Sequence, residues 1–228
     1  MPTGVRQPVV LSWSGGKDAA WTLHVLQQSP DHEVVGLLTT VSEGFERIAM
    51  HGIRRDVLHA QAEAVGLPVI EARLPQRADN ATYETVFADG LKCARERWPG
   101  IRHIAFGDLH LADIKAYRDA LCARLDWTPL YPLFGRDTRA LAGEMLDGGM
   151  RAMLCCVDTQ QLDARFVGRA FDENLLDELP DTIDRCGEHG EFHTCVHAGP
   201  MFTQALELQR GEVVLRDERF AFIDLMLV

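Results

Sequence analysis

The residues from Ser14 to Asp18 are the stretch of this chain best suited to bind a phosphate group. Two glycines follow the serine, and they let the main chain approach a ligand closely. If a helix starts here, its free N–H groups and its dipole add partial positive charge, and Lys17 adds a full one. Asp18 could cap that helix or hold a magnesium ion that accompanies a nucleotide. The spacing differs from a Walker A loop, so a plain structural turn is the alternative.

A second dense group of reactive side chains lies between Cys186 and Thr194. Its two carboxylates, Glu188 and Glu191, could hold an ammonium group or act in acid–base chemistry. The cysteines and histidines from 186 to 197 also have the side-chain types of zinc ligands, although their spacing matches no common zinc pattern. A solvated loop without chemistry is the third interpretation of these residues.

Alternating strands and helices would place residues 14–18 at the edge of a sheet. The predicted strands cover residues 9–12, 33–41, 67–72 and 101–107 with a fifth from 127, and the predicted helices cover 19–26, 53–65, 80–98 and 112–125. Short links favour a Rossmann-like α/β fold, in which helices cover both faces of a parallel sheet. Ligands bind at the carboxyl ends of such strands. We therefore expect residues 14–18, Thr39, Thr40, His51 and residues 107–108 to meet in one crevice.

The second part of the chain has a different pattern and predicts a smaller α+β domain. A polar turn after Pro132 precedes a helix at 140–146 and a buried strand at 150–157. Residues 202–228 are predicted to form strands joined by a turn at Arg210-Gly211. We place a domain boundary near Pro132, which gives domains of residues 1–131 and 132–228.

Composition narrows the class of protein. The net charge of −11 argues against broad contact with a nucleic acid backbone. Six cysteines without a CxxC pair indicate reduced, buried thiols rather than a disulfide framework. The first residues lack the apolar core of a signal peptide, and no apolar stretch is long enough to cross a bilayer. We therefore expect a cytoplasmic protein without a membrane partner.

Together these motifs resemble the PP-loop ATP pyrophosphatases and, within them, the diphthine–ammonia ligase family. The loop at 14–18 is similar to the superfamily's Ser-Gly-Gly-x-Asp loop, and the Gly-Glu-x-Gly-Glu loop at 187–191 is similar to that of the branch. Further similar stretches are Met50-His51, Gly107, 132–137 and 166–169. The resemblance runs from about Val9 to about Phe202. Two positions depart from the pattern: Ala19 replaces a Ser or Thr, and His193 replaces a Glu.

The resemblance implies a HUP-type nucleotide-binding domain at 1–131, a substrate-recognition domain at 132–228, and an AMP-forming amide ligase that uses ATP and Mg²⁺. ATP adenylates a carboxylate, pyrophosphate leaves, and ammonia attacks to give an amide. The family's acceptor is diphthine, a modified histidine of elongation factor two. The histidine at 193 is typical of bacterial relatives, which favours another carboxylate-bearing acceptor at least as strongly. The resemblance leaves open whether the chain forms a homo-oligomer.

The resemblance also implies roles for individual residues. The ATP-binding residues are Ser12, Ser14, Gly15, Gly16, Lys17, Asp18, Thr39, His51 and Gly107, with Asp18 near the Mg²⁺. The catalytic residues are Lys17, Glu188, Glu191 and His193, and the substrate-binding residues are Arg118, Glu188, Glu191 and Thr194. His193 would act as a base toward ammonia. The rival functions are an ATP or AMP sensor without turnover, a tRNA-modifying PP-loop enzyme, and a metal-binding structural module.

Overall fold

The computed structural model describes residues 5–228, so residues 1–4 of the predicted first domain lie outside it. Strands and helices alternate through the first part of the chain. In order they are β1 Gln7–Ser12, α1 Lys17–Gln27, β2 His32–Ser42, β3 Arg47–Ile48, α2 Arg55–Val65, β4 Val69–Leu74, α3 Asn80–Arg97, β5 His103–Ala105, α4 Ala112–Arg124 and β6 Thr128–Leu130. The second part contains α5 Thr138–Asp147, β7 Arg151–Asp158, a 3-10 turn Ala164–Phe166, α6 Glu173–Glu178, β8 Phe192–Ala198, β9 Leu208–Arg216 and β10 Phe220–Leu227.

The first sheet is built around β1. This strand pairs in parallel with β2 on one side and with β5 on the other, and β4 and β6 extend the sheet outward. Val9 and Leu11 point into one buried cluster, whereas Val10 points into a second one on the other face. Apolar residues on both faces are what a parallel sheet covered by helices requires. The predicted α/β, Rossmann-like fold is thus confirmed, except that short β3 pairs antiparallel to β2 and makes the sheet mixed.

The second sheet is antiparallel, with the strand order β8-β7-β10-β9. It meets the first sheet through β8, where the Val196 N–H donates a 2.9 Å hydrogen bond to the Gly15 carbonyl. This contact lies on the glycine turn before α1. The two sheets therefore meet at the loop that the sequence singles out. The domain boundary after residue 131 stays a prediction.

The predicted turn at Arg210-Gly211 is wrong. Both residues lie inside β9, and the chain reverses at Asp217 and Glu218, whose φ angles are 50° and 51°. Positive φ at both central positions is typical of the type I′ turn, whose twist matches that of a hairpin. The Arg219 N–H closes the turn with a 3.0 Å hydrogen bond to the Arg216 carbonyl. Gly211 therefore does not mark a turn.

None of the helices in residues 5–228 has the length and apolar character needed to cross a membrane.

Asp224 of β10 joins the second sheet to the first part of the chain. Its carboxylate accepts hydrogen bonds of 2.8 and 2.6 Å from Arg54 and one of 2.9 Å from Arg47. The Arg54 and Arg47 guanidinium groups lower the pKa of Asp224 from 3.8 to about 2. The ionised form of Asp224 therefore stabilises the folded chain.

We expect Asp224→Asn to lower the free energy of unfolding by about 1–2 kcal/mol at pH 7. The folded pKa lies below the unfolded one, so the stabilisation is complete above about pH 5 and is lost as pH falls through 3.8 toward 2. Chemical denaturation at pH 7 and pH 3.5 should show a smaller difference between the proteins at the lower pH. Asp31→Asn, at an exposed position, is the control. An equal difference at both pH values would contradict this account.

Candidate functional site

The turn between β1 and α1 has the geometry of an anion site. Gly15 has a φ of 75°, a left-handed conformation that favours glycine. A Cβ atom on Gly16 would lie 2.8 Å from Nε2 of His51, so the position has no room for a side chain. The Lys17 N–H donates to Oγ1 of Thr194 at 3.0 Å, which fixes the start of α1 against β8. The next N–H groups of α1 have no partner within the helix.

Gln61 of α2 holds this turn in place. Its side chain is fully buried, and its Nε2 donates to the carbonyls of Gly15 at 3.0 Å and Val196 at 2.7 Å. Its Oε1 accepts from the Trp13 indole at 3.1 Å. Sequence reasoning missed this residue. The available signal was a polar side chain within the apolar stripe of α2, beside Ala62.

Buried Lys17 and partly exposed Asp18 form an ion pair at the start of α1. Lys17 Nζ lies 2.8 Å from Oδ2 of Asp18, and the lysine is 2% exposed. Burial disfavours the charged lysine, but attraction by Asp18 and Glu188 leaves its pKa above the ordinary value. Burial raises the pKa of Asp18, and Lys17 only partly opposes this. Lys17 therefore stays charged. Its single positive charge does not fully offset the cost of burying the Asp18 carboxylate.

Asp18 does not cap α1, because the capping position is Gly16. Its Oδ1 is buried and has no hydrogen-bond partner among residues 5–228. A cation that arrives with a nucleotide would supply both a partner for this oxygen and the missing charge, so Asp18 fits the expected Mg²⁺.

A resident metal centre has no support among the described residues. In that part of the chain, no three His, Cys, Asp or Glu side chains are grouped to hold a metal ion. The thiol of Cys186 instead donates to the Thr138 carbonyl, and Cys195 is fully buried in the core. The zinc interpretation of residues 186–197 is therefore set aside.

Two cavities beside the turn form one continuous cleft. An apolar cavity of about 530 Å³ has walls from Leu38, Phe87 and Phe106. A polar cavity of about 650 Å³ adjoins it and contains Lys17 and Asp18. The residues that border both cavities are Ser12, Ser14, Met50, His51, Ile114 and Arg118. An apolar chamber next to convergent polar groups is typical of a small-molecule site.

Two imidazoles, those of His51 and His193, stand in the polar cavity. Their ring centroids are 4.5 Å apart. Burial, with repulsion from Lys17, lowers the pKa of His193 to about 4. Burial, His193 and Lys17 also hold the pKa of His51 well below its ordinary range. Both rings are therefore neutral near pH 7, and each has a nitrogen able to accept a proton.

The two glutamates of the loop at 187–191 have different positions. Oε1 of Glu188 accepts hydrogen bonds of 2.7–3.3 Å from the N–H groups of residues 109–111, just before α4. Glu191 is 1% exposed and turns away from the cleft, because its oxygens accept from the N–H groups of Asp184 at 2.9 Å and His189 at 2.8 Å. The expected substrate contact by Glu191 is therefore corrected to a supporting role within the loop.

Comparison with known proteins decides the family. A family model described as the diphthamide synthase N-terminal domain matches residues 7–128, and one described as the C-terminal domain matches residues 137–224. The chain belongs to the diphthine–ammonia ligase family. The resemblance to this branch of the PP-loop superfamily is thus confirmed.

Similar curated proteins carry the name diphthine–ammonia ligase. That of Danio rerio is 28% identical over an alignment of 231 positions, which covers 91% of this chain and 89% of the relative. That of Homo sapiens is 25% identical over 224 residues, covering 89% and 83%. That of Schizosaccharomyces pombe is 25% identical over 221 residues, covering 88% of this chain but 36% of the longer relative.

In this member of the diphthine–ammonia ligase family, three residues predicted for the site lie in surroundings that the sequence did not indicate. They are Thr39, Gly107 and Arg118. Thr39 is 1% exposed and lies outside the cleft, whereas its neighbour Thr40 borders the apolar cavity. Gly107 borders the polar cavity, but a Cβ atom there would lie 2.9 Å from the Asp18 carbonyl carbon. Its missing side chain thus lets the end of β5 pack against the start of α1.

Arg118, the third of these residues, is already paired within the chain. Its Nε lies 3.1 Å from Oδ2 of Asp108, and its guanidinium lies 4.3 Å from the centre of the Phe106 ring. Burial raises the pKa of Asp108, and Arg118 opposes this shift. Arg118 borders both cavities, so it can meet a ligand only by sharing or leaving Asp108.

The wall of the polar cavity contains an ion pair that no sequence motif indicated. Asp158 is 1% exposed, and it accepts hydrogen bonds of 2.9 and 2.6 Å from Arg219. Arg219 holds the pKa of this carboxyl well below its usual range. The pair joins β7 to the turn before β10, so its meeting depends on the tertiary structure.

Proposed function

We propose that this protein uses ATP to adenylate a substrate carboxylate and then transfers the acyl group to ammonia. The products are an amide, AMP and pyrophosphate. The observation that carries this proposal is that three features meet in one cleft. They are an apolar chamber, the glycine turn with buried Lys17, and a pair of neutral imidazoles beside that turn.

Each section of the cleft matches one part of the reaction. The apolar chamber suits the adenine base, whose flat apolar faces can pack beside Phe87 and Phe106. The turn before α1 and the Lys17 ammonium suit the phosphates, because they add fixed positive charge where negative charge moves during the reaction. Asp18 would hold Mg²⁺, which supplies further charge neutralisation to the triphosphate. The diphthine–ammonia ligase relatives support both ATP and ammonia as substrates.

The proposed chemistry has two steps. A carboxylate oxygen attacks the α-phosphorus of ATP, the bond from this phosphorus to the β-bridging oxygen breaks, and pyrophosphate leaves with the electron pair. The ammonia nitrogen then attacks the acyl carbon, and the bond from that carbon to the AMP oxygen breaks. Ammonia loses one proton in forming the amide. His193 borders the polar cavity beside His51, and we propose its neutral ring as the acceptor.

Replacing His193 should separate the two steps. We expect His193→Gln to slow amide formation by about 10²-fold, the usual contribution of a positioned base, and to leave adenylation nearly unchanged. Exchange of labelled pyrophosphate into ATP measures the first step, and product amide measures the second. His59→Gln, at an exposed position on α2 outside both cavities, is the control. Equal losses in both steps would contradict a role as the base.

The proton acceptor should also have an unusual titration. The imidazole of His193 should stay neutral from pH 8 to about pH 5 and protonate near pH 4 in the ligand-free protein. Amide formation at a constant concentration of free ammonia should therefore be flat from pH 8 to about pH 5. A nuclear magnetic resonance titration, with the His193→Gln protein for assignment, measures this pKa. A midpoint near 6.5 would contradict the structure.

Labelling the α-phosphate tests the whole proposal. The protein is incubated with ATP labelled on its α-phosphate, with Mg²⁺ and with ammonium. The acceptor is either a small-metabolite extract or elongation factor two carrying diphthine. We expect AMP that depends on one of these acceptors. ADP instead of AMP would contradict adenylation, and tight ATP binding without AMP in both arms would favour the sensor.

A further inference from the structure

The outer strand of the second sheet leaves three consecutive apolar side chains on the surface. Val213 is 54% exposed, Val214 41% and Leu215 60%. Their strand, β9, pairs with β10 on one side and ends the sheet on the other, as far as residues 5–228 show. A β-bulge at Gly211 and Glu212, which both lie opposite Asp224, interrupts β9, and the regular part of the edge follows it. An edge with apolar side chains is a template for a further strand.

We propose that β9 pairs with β9 of a second copy of this chain, so that the antiparallel sheet continues across a dimer. Such a pair is related by a two-fold axis perpendicular to the sheet. This axis keeps equivalent side chains on the same face. Residues directly opposite each other must also share a face, because side chains alternate along a strand. The axis must therefore pass through a residue and not between two residues.

Charge selects the residue at the axis. With the axis at Val214, the exposed Glu212 lies opposite the partner's Arg216, and the pair recurs by symmetry. Opposite charges in directly opposed positions stabilise a strand pair, and like charges destabilise it.

The neighbouring registers fail this requirement. An axis at Val213 would place Glu212 opposite the partner's Val214, so that neither Glu212 nor Arg216 would face an opposite charge. An axis at Leu215 would place Val214 opposite the partner's Arg216 and Glu212 beside the partner's turn, so that the two charges would again stay unpaired. The Val214 register also pairs Val213 with the partner's Leu215, so the exposed apolar side chains cover each other.

The proposed interface is separate from the proposed reaction and does not depend on it. It ends close to the site, however, because the turn after β9 leads directly to Arg219 and Phe220, which border the polar cavity. Strand pairing would therefore hold the turn that carries these residues.

Charge exchange tests the register. Light scattering of the wild-type protein should give about 51 kDa, twice the chain mass of 25.5 kDa. Glu212→Arg places arginine opposite arginine, and Arg216→Glu places glutamate opposite glutamate. Each single variant should raise the dimer dissociation constant at least about tenfold. An equimolar mixture of the two should restore the dimer, because every arginine of one variant then faces a glutamate of the other.

Further variants distinguish loss of the dimer from loss of folding. Glu207→Arg makes the same charge change at an exposed position outside the paired residues and should leave the dimer intact. Because Arg216 also lies 5.2 Å from the ring centre of Phe45, circular dichroism must show that Arg216→Glu folds. Val214→Lys, which places two lysines at the axis, is a second route to the monomer. A monomeric wild type, single variants that stay dimeric, or a folded mixture that stays monomeric would each overturn the proposal.

Discussion

Replacing Lys17 by methionine is expected to reduce the formation of AMP from ATP by about 10²–10³-fold, the usual cost of removing one preorganised stabilising group. The lysine is 2% exposed and held 2.8 Å from Asp18, so its charge is fixed before the nucleotide binds. A fixed cation stabilises the charge that moves onto pyrophosphate without first having to reorient. Acceptor-dependent release of AMP from α-labelled ATP measures the effect.

The matched control is Lys92→Met. Lys92 is exposed on α3, so this change removes the same charge away from the cleft and should leave AMP formation within about twofold of wild type. Thermal unfolding of both variants shows whether the fold survives. Wild-type turnover in a folded Lys17→Met protein would exclude the proposed role of the lysine.

Replacing Gln61 by leucine is expected to have the largest effect on stability, with a loss of about 2–4 kcal/mol in the free energy of unfolding. The side chains have similar sizes, but leucine cannot donate to the carbonyls of Gly15 and Val196 or accept from Trp13. The buried indole N–H would then lose its partner, which costs about 1–3 kcal/mol by itself. Urea denaturation measures the change.

A second consequence of Gln61→Leu should appear in nucleotide binding. The lost hydrogen bonds hold the glycine turn against α2 and β8, so we expect weaker binding of ATP even where the protein is folded. Gln27→Leu, at an exposed position that ends α1, makes the same chemical change and should shift stability by less than about 0.5 kcal/mol. Equal stabilities of the two variants would show that the buried amide is not needed.

The sequence by itself determined the features that depend on neighbouring residues. Apolar runs and glycine or proline breaks predicted the alternating strands and helices, and the Ser14–Asp18 turn was recognisable because its glycines and charges are adjacent. Convergence at one crevice followed from the rule for carboxyl ends of parallel strands. The structure brings Ser14, Lys17, His51 and Gly107 to that edge.

Only the tertiary structure decided where equivalent side chains point. Glu188 and Glu191 belong to one short motif, yet one caps the residues before α4 and the other is buried inside its own loop. Gln61 became visible as a support only when α2 packed against the turn. The low pKa of His193 likewise requires burial and a lysine that is distant in sequence. Burial, hydrogen-bond partners and charge neighbours are properties of the packed chain, because residues far apart in sequence create them.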